Sequence, residues 1–317
     1  MLAGGDIRFR PASWLVLALG TGGLLACGAA VAAALAAVHR TSTGTGEFAL
    51  GGLHFTYPYL NTGGALLFAL TSFGAAGLTV AGHATWRQFW RYRHFRAQLG
   101  SVGPLERDPR VSVIADPRPQ AFCAGYLRPG VYVSRRAVEL LSEDELDAVL
   151  AHEHHHRRVR DPLRLACGRI LSEALFFLPA LRPLCVRSTD EAELAADHAA
   201  ICASGGQGAP LASALLAFDA SAPAGASGIS PERVDMLLGG TTTWRLPRPL
   251  LAVSLGVLTG TIIFVWLISG HASVRATFNL PILSPQPCVA MTTFIALLGL
   301  ARGVARSRRR GPGLSGC

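Results

Sequence analysis

Leu150-Ala151-His152-Glu153-His154-His155-His156 decides the class of this chain. It contains H-E-x-x-H, as His152, Glu153 and His156. Residues four apart share one face of an α-helix, so the two imidazoles project together. Such a pair can hold one Zn²⁺, and Glu153, one position round, can reach a water on that metal. Zinc lowers the pKa of bound water from about 15.7 toward about 7, and a neighbouring carboxylate can then take the proton. The spacing points to hydrolysis of a peptide bond, with His152 and His156 as metal ligands, Glu153 as general base and one zinc per chain.

The flanks place the motif on a helix. Ser142-Glu143-Asp144-Glu145 fits a capping box, and Leu146, Val149 and Leu150 follow at helical spacing. Pro162 limits how far the helix can run. A surface histidine cluster with adventitious metal is the blander reading, and these flanks weigh against it. Only the 152/156 pair leaves a glutamate beside the first ligand, so His154 and His155 are read as polar neighbours rather than ligands.

A catalytic zinc usually takes three protein ligands and keeps one position open. The Ala-rich run Thr189-Asp190-Glu191-Ala192-Glu193-Leu194-Ala195-Ala196-Asp197-His198 predicts a helix and offers the third. Glu193 and Asp197 share a face, while Glu191 points nearly opposite Glu193. Asp190 and His198 remain rivals, and an ordinary acidic helix face would look the same from spacing alone.

The chain resembles the membrane zinc peptidases of the M48 and M56 families. The resemblance rests on Gln120-Ala121-Phe122-Cys123-Ala124-Gly125, then Gly130-Val131-Tyr132-Val133-Ser134, then the run from Leu141 through Glu153. Glu193 to Asp197 matches the E-x-x-x-D element, and Arg157, Arg158, Arg160 and Asp161 match a basic run with aspartate after the motif. Ser230-Pro231-Glu232-Arg233-Val234 is similar to the element that closes the M48 catalytic domain. The match covers roughly residues 105–240. It implies a zincin-like α+β domain of gluzincin type with Glu193 as third ligand and Arg233 stabilising the oxyanion. Asp197, on the Glu193 face, would orient a ligating histidine. The strand around Phe122 would pair with the substrate backbone. The sensor-proteases of β-lactam resistance within M56 carry a C-terminal penicillin-binding domain. This chain ends at Cys317 and contains no lysine, hence no S-x-x-K, so covalent sensing of a β-lactam is not expected.

Half of the 317 residues are hydrophobic, and the mean hydropathy is positive. That combination points to membrane spans. Four segments are candidates: Trp14–Val38, Thr62–Trp86, Pro249–Ser269 and the shorter Cys288–Leu300. The first exceeds the apolar core of a signal peptide and is read as a retained span. Ala174–Leu181 is too short to cross and reads as a buried or membrane-grazing helix.

Arginines cluster after the second segment (Arg87, Arg91, Arg93, Arg96), before the third (Arg245, Arg248) and after the fourth (Arg302, Arg306, Arg308, Arg309, Arg310). The excess alternates with each crossing, so the zinc domain is expected in the cytoplasm, with His39–Asn61 and Gly270–Pro287 outside. The net charge of +9 is then explained by topology and by contact with the lipid bilayer, and calls for no direct nucleic acid.

The seven cysteines form no C-x-x-C and read as small apolar fillers, with reduced thiols in a cytoplasmic domain. The expected fold is therefore a multi-pass helical membrane protein with an inserted metallopeptidase domain. Residues 1–86 and 247–317 would hold two transmembrane helices each, around a peptidase domain at 87–246. The partners are a protein or peptide substrate and the bilayer. A narrower alternative is a sensor-protease that cleaves itself or a transcriptional repressor, and a further one is a zinc-binding membrane protein without catalysis.

Overall fold

Helix α1 (Pro11–Ala36) begins at a proline, which suits the first helical turn, and carries no charge along its length. The computed structural model describes residues 11–40, 46–50, 53–57, 59–221, 233, 246–269 and 274–276. After α1 come β1 (Val38–Arg40), the antiparallel hairpin of β2 (Gly46–Leu50) and β3 (Leu53–Tyr57), and β4 (Tyr59–Leu60). Asn61 then caps α2 (Thr62–Gln98), accepting from the Gly64 N–H at 2.7 Å. The helix runs through the domain boundary expected at 86/87 without a break.

A four-stranded sheet follows: β5 (Ser101–Leu105), β6 (Asp108–Ile114), β7 (Ala121–Ala124) and β8 (Gly130–Ser134). Its order is β5-β6-β8-β7, with β6 and β8 parallel and the other pairs antiparallel, which leaves β7 at an edge. Gly125 ends β7 with a φ of +115°, and a Cβ there would stand 2.9 Å from the Arg128 carbonyl oxygen. Only glycine fits that turn.

Ser134 caps the short α3 (Arg135–Leu140), accepting from the Ala137 N–H. Helix α4 (Glu143–Val159) opens on the expected capping box: Ser142 accepts from the Glu145 N–H, and the Glu145 carboxylate accepts from the Ser142 N–H at 2.8 Å. Such a cap is worth about 1 kcal/mol. Leu146, Val149 and Leu150 bury one face of α4 against Val111, Val131 and Val133 of the sheet. Each full burial stabilises by about 1.5–3 kcal/mol. His152 and His156 continue the stripe that Val149 begins, at i+3 and i+7, and are themselves buried.

Arg160 adopts the left-handed conformation (φ 56°) and breaks the chain direction between α4 and α5 (Asp161–Ala174). Pro162 in the first turn of α5 makes that break a clean restart. Helix α6 (Leu181–Ala203) and α7 (Ala209–Ala220) complete the domain, and α7 adds Leu211 and Ala214 to the core under the sheet.

Helices α5 and α6 form a hairpin that inserts beside α1. Leu171, Leu175, Leu178, Leu181 and Leu184 pack against Val16, Leu19 and Cys27. Glycines make the approach close: a Cβ on Gly20 would meet Leu171 at 2.5 Å, and one on Gly23 would meet Leu175 at 2.7 Å. On the α2 side, Gly77 faces the Ala174 carbonyl. Small residues at helix contacts of this kind are the usual device in membranes. Ala174–Leu181, expected as one helix, is instead the tip of this hairpin. Leu175 leaves the helical region (ψ 51°), and tight backbone bonds from the Leu178 and Leu181 N–H groups carry the turn.

Helix α8 (Arg248–Ser269) lies against α1, and its buried Ser254 hydroxyl accepts from the Ala180 N–H at the hairpin tip. Strand β9 (Val274–Ala276) then pairs in parallel with β1 and antiparallel with β4. The segments after α1, before α2 and after α8 thus meet at one end of the bundle. Helices α1, α2 and α8 are long and apolar enough to cross a membrane. Cys288–Leu300 and the basic tail lie outside the described residues, as do the glycine- and proline-rich run from 222 and Arg245.

Candidate metal centre

Three elements converge on one small volume. Helix α4 supplies His152, Glu153 and His156, all buried. Helix α6, crossing α4, supplies Glu193 and Asp197. Arg233 reaches in from the chain beyond α7.

The two ring nitrogens His152 Nε2 and His156 Nε2 face each other at 3.1 Å. Glu193 presents one oxygen to each: Oε2 is 3.6 Å from His152 Nε2, and Oε1 is 3.6 Å from His156 Nε2. One donor atom from each of the three residues lies within 4.8 Å of the others, the sole such group of three among the described residues.

The outer ring nitrogens are held from behind. His152 Nδ1 is 2.9 Å from Asp197 Oδ1, and His156 Nδ1 is 2.9 Å from Asp161 Oδ2. A carboxylate can only accept, so each Nδ1 is placed to carry a hydrogen, and when the rings are neutral each turns an Nε2 lone pair inward. Two lone pairs and a carboxylate facing each other repel unless a cation lies among them. Two nitrogens bound to one tetrahedral zinc at its usual bond length stand about 3.3 Å apart, close to the spacing found. The donor set therefore fits a zinc ion.

The electrostatics agree. Burial alone would push His152 down, but hydrogen bonds to Asp197 and Glu193, with the charge of Glu153, bring it up to about 9. Burial likewise opposes ionisation of Glu193 and Asp197. Yet His152, through its hydrogen bonds and charge, and Arg233 hold both below their ordinary values. The pocket favours positive charge at its centre. Glu153 moves the other way, since burial raises it despite the two histidines, while its carboxylate accepts from the Cys123 backbone in β7. Glu153 thus sits between the two histidines and the sheet edge.

Arg233 forks onto Asp197 with two bonds of 2.7 and 2.8 Å and places a third nitrogen 3.1 Å from Glu193. Its guanidinium is engaged with the two α6 carboxylates. The rivals for third ligand lie elsewhere: Asp190 is not in the cluster, and His198 is exposed beside Cys202, with Nδ1 3.6 Å from its sulfur. Glu191 points away and accepts from the Ala12 N–H of α1 at 3.4 Å. His154 pairs with Asp108 of β6 at 2.8 Å, and neither it nor His155 joins the cluster.

Cys123, half-buried beside Glu153, is pushed up to about 12, chiefly by burial, as an unreactive filler would be. Cys202 departs from that reading, since it is exposed.

One site residue carried no role in the sequence: Asp161. It is 2 % exposed and fixes the second histidine. The signal was present as Asp161-Pro162 five residues past His156, a helix start that turns the chain back on the motif.

Two inward-facing histidines and a buried acid on one helix, with a carboxylate from a crossing helix, form a group that could hold a metal ion. Comparison with known proteins points the same way. Residues 85–218 match the model of peptidase family M48, which supports an M48-type metallopeptidase domain over that stretch. A protease HtpX homolog of Lactobacillus acidophilus is 36% identical over 75 residues, covering 23% of this chain and 25% of the relative. The chain thus matches about a quarter of that relative's length. No solved structure matches. These matches fall on the M48 side of the resemblance and lend nothing to a repressor as substrate.

Proposed function

We propose that the chain is a multi-pass membrane zinc endopeptidase with a zincin-like α+β domain facing the cytoplasm. It would hydrolyse peptide bonds of cytoplasmic or membrane proteins. The observation that carries this is the pair of inward-facing Nε2 atoms 3.1 Å apart, each ring backed by a buried carboxylate. His152, His156 and Glu193 would hold the zinc, which supplies Lewis acidity and an acidified water.

The remaining work falls to the chain. Glu153, whose proton affinity is raised by burial, can take a proton and return it to the leaving amine. Asp197 and Asp161 keep the rings in one tautomer and orientation. Arg233 positions the Glu193 and Asp197 carboxylates, and its charge would help to stabilise a developing oxyanion. Strand β7 lies at the sheet edge among the described residues, beside Glu153, where an extended substrate can add as a strand.

Three features support membrane embedding. The apolar helices α1, α2 and α8 expose large side chains such as Leu25, Phe73, Ile262 and Trp266, a surface suited to lipid. The loops expected outside share the sheet of β1, β9 and β4 at one end of the bundle. The arginine clusters favour the cytoplasm for the other end. Cleavage of unfolded casein, lost on chelation and regained with zinc, tests the reaction. Persistence of cleavage in excess chelator would refute it.

A further inference from the structure

Beyond Trp86, α2 shows two different faces. One packs on the sheet. The Tyr92 and Tyr126 ring centroids are 5.1 Å apart, Phe95 lies 5.5 Å from Phe122, and Phe122 stacks on Tyr132 at 5.5 Å. Phe122 belongs to β7, the strand whose Cys123 backbone holds Glu153. The other face is open: Trp86 is 60% exposed, Phe89 47% and Trp90 50%. The Arg93 guanidinium lies over Phe89 and Trp90, 5.7 and 5.8 Å from their ring centres. Exposed tryptophan mixed with arginine, directly after a candidate span, is the composition of a membrane–water interface. The arginines suit anionic lipid headgroups.

We propose that this helix is a ruler. Its exposed aromatic face rests at the bilayer surface, and its far end fixes the β7 edge. The site therefore reaches membrane-anchored polypeptides only within a short, set distance of their membrane end. This deepens, and rests on, the peptidase reading above.

Phe95 lies nine residues beyond Trp86, about 14 Å along the helix axis. That sets the scale for the height of β7 above the belt. A second contact measures from another side. Ser13, at the start of α1, shares a 2.7 Å hydrogen bond with Ser188 of α6. Glu193 lies one and a half turns further on, about 8 Å. Both distances place the centre close to the same membrane surface. An extended chain covers about 3.3 Å per residue, so a stretch of roughly two to four substrate residues spans the gap between the membrane and the cut.

The test reconstitutes the zinc-loaded 317-residue chain into phosphatidylcholine/phosphatidylglycerol liposomes with a single-span substrate. The substrate's tail repeats one short cassette, so every site is chemically alike. Cuts should fall at least about tenfold more often in the first cassette than in the third. A twelve-residue Gly/Ser spacer before the first cassette should lower cleavage by a similar factor. Trp86→Ser with Trp90→Ser should spread the cuts outward. Equal cutting along the tail, indifference to the spacer, or an unchanged pattern in the double variant would each overturn the ruler. So would cleavage of soluble casein with no cleavage of the anchored substrate. Failure to cut casein as well would remove the peptidase reading itself.

Discussion

His152 Nδ1 lies 2.9 Å from Asp197 Oδ1, and Asp197 has no exposed surface. That contact favours a hydrogen on Nδ1 and so leaves Nε2 turned toward His156 and Glu193. Asp197→Asn keeps the shape and removes the charge. Zinc affinity should fall roughly 10–100-fold, as losses behind a ligand do, measured by competition with a chelator. Asp161→Asn should act in the same direction through His156. Affinity unchanged in both variants would mean that the rings need no backing.

Arg233 separates two roles. If it holds the α6 carboxylates, Arg233→Ala leaves the buried Asp197 with His152 as its remaining charged partner, a loss of up to about 3–5 kcal/mol. Both thermal stability and zinc affinity should then drop. Arg233→Lys should recover part of the loss, since a lysine keeps the charge without the fork. A fall in kcat with stability and zinc affinity intact would instead assign Arg233 to the oxyanion alone.

Glu193→Ala should release zinc, whereas Asp190→Ala should keep it, because only Glu193 brings its oxygens to 3.6 Å from both ring nitrogens. Metal analysis of the purified variants decides this. A zinc-free Asp190→Ala protein beside a zinc-loaded Glu193→Ala protein would place the third ligand three residues upstream.

Much of the site was legible because helical spacing fixes direction. His152 and His156 at i and i+4, and Glu193 and Asp197 at i and i+4, must share faces whatever the tertiary fold. Spacing alone could not rank Glu193 above Asp190, nor show that Arg233 would fork onto Asp197. Those facts depend on how α6 crosses α4. Asp161 was hidden for a related reason, since its side chain returns to His156 only through the left-handed turn at Arg160. The hairpin of α5 and α6 was misread because a buried turn and a buried helix have the same apolar composition over Ala174–Leu181.

The hairpin makes its own prediction. Gly23→Val should clash with Leu175 and Leu178, whose atoms would stand 2.7 and 3.1 Å from a new Cβ. Overpacking of this kind costs about 1–3 kcal/mol. Gly28→Val is the control, since nothing lies within 4 Å of a Cβ there. Thermal unfolding in one detergent should show a lowered midpoint for the first variant and none for the second. Equal midpoints would mean that the hairpin does not dock on α1 as described.

The most direct measurement pairs zinc content with casein cleavage in Glu153→Gln and in His152→Ala/His156→Ala. Glu153→Gln should retain about one zinc per chain and lose cleavage by at least about 100-fold. The double histidine variant should lose both. Cleavage by Glu153→Gln at the wild-type rate, or full zinc in the double histidine variant, would contradict the account.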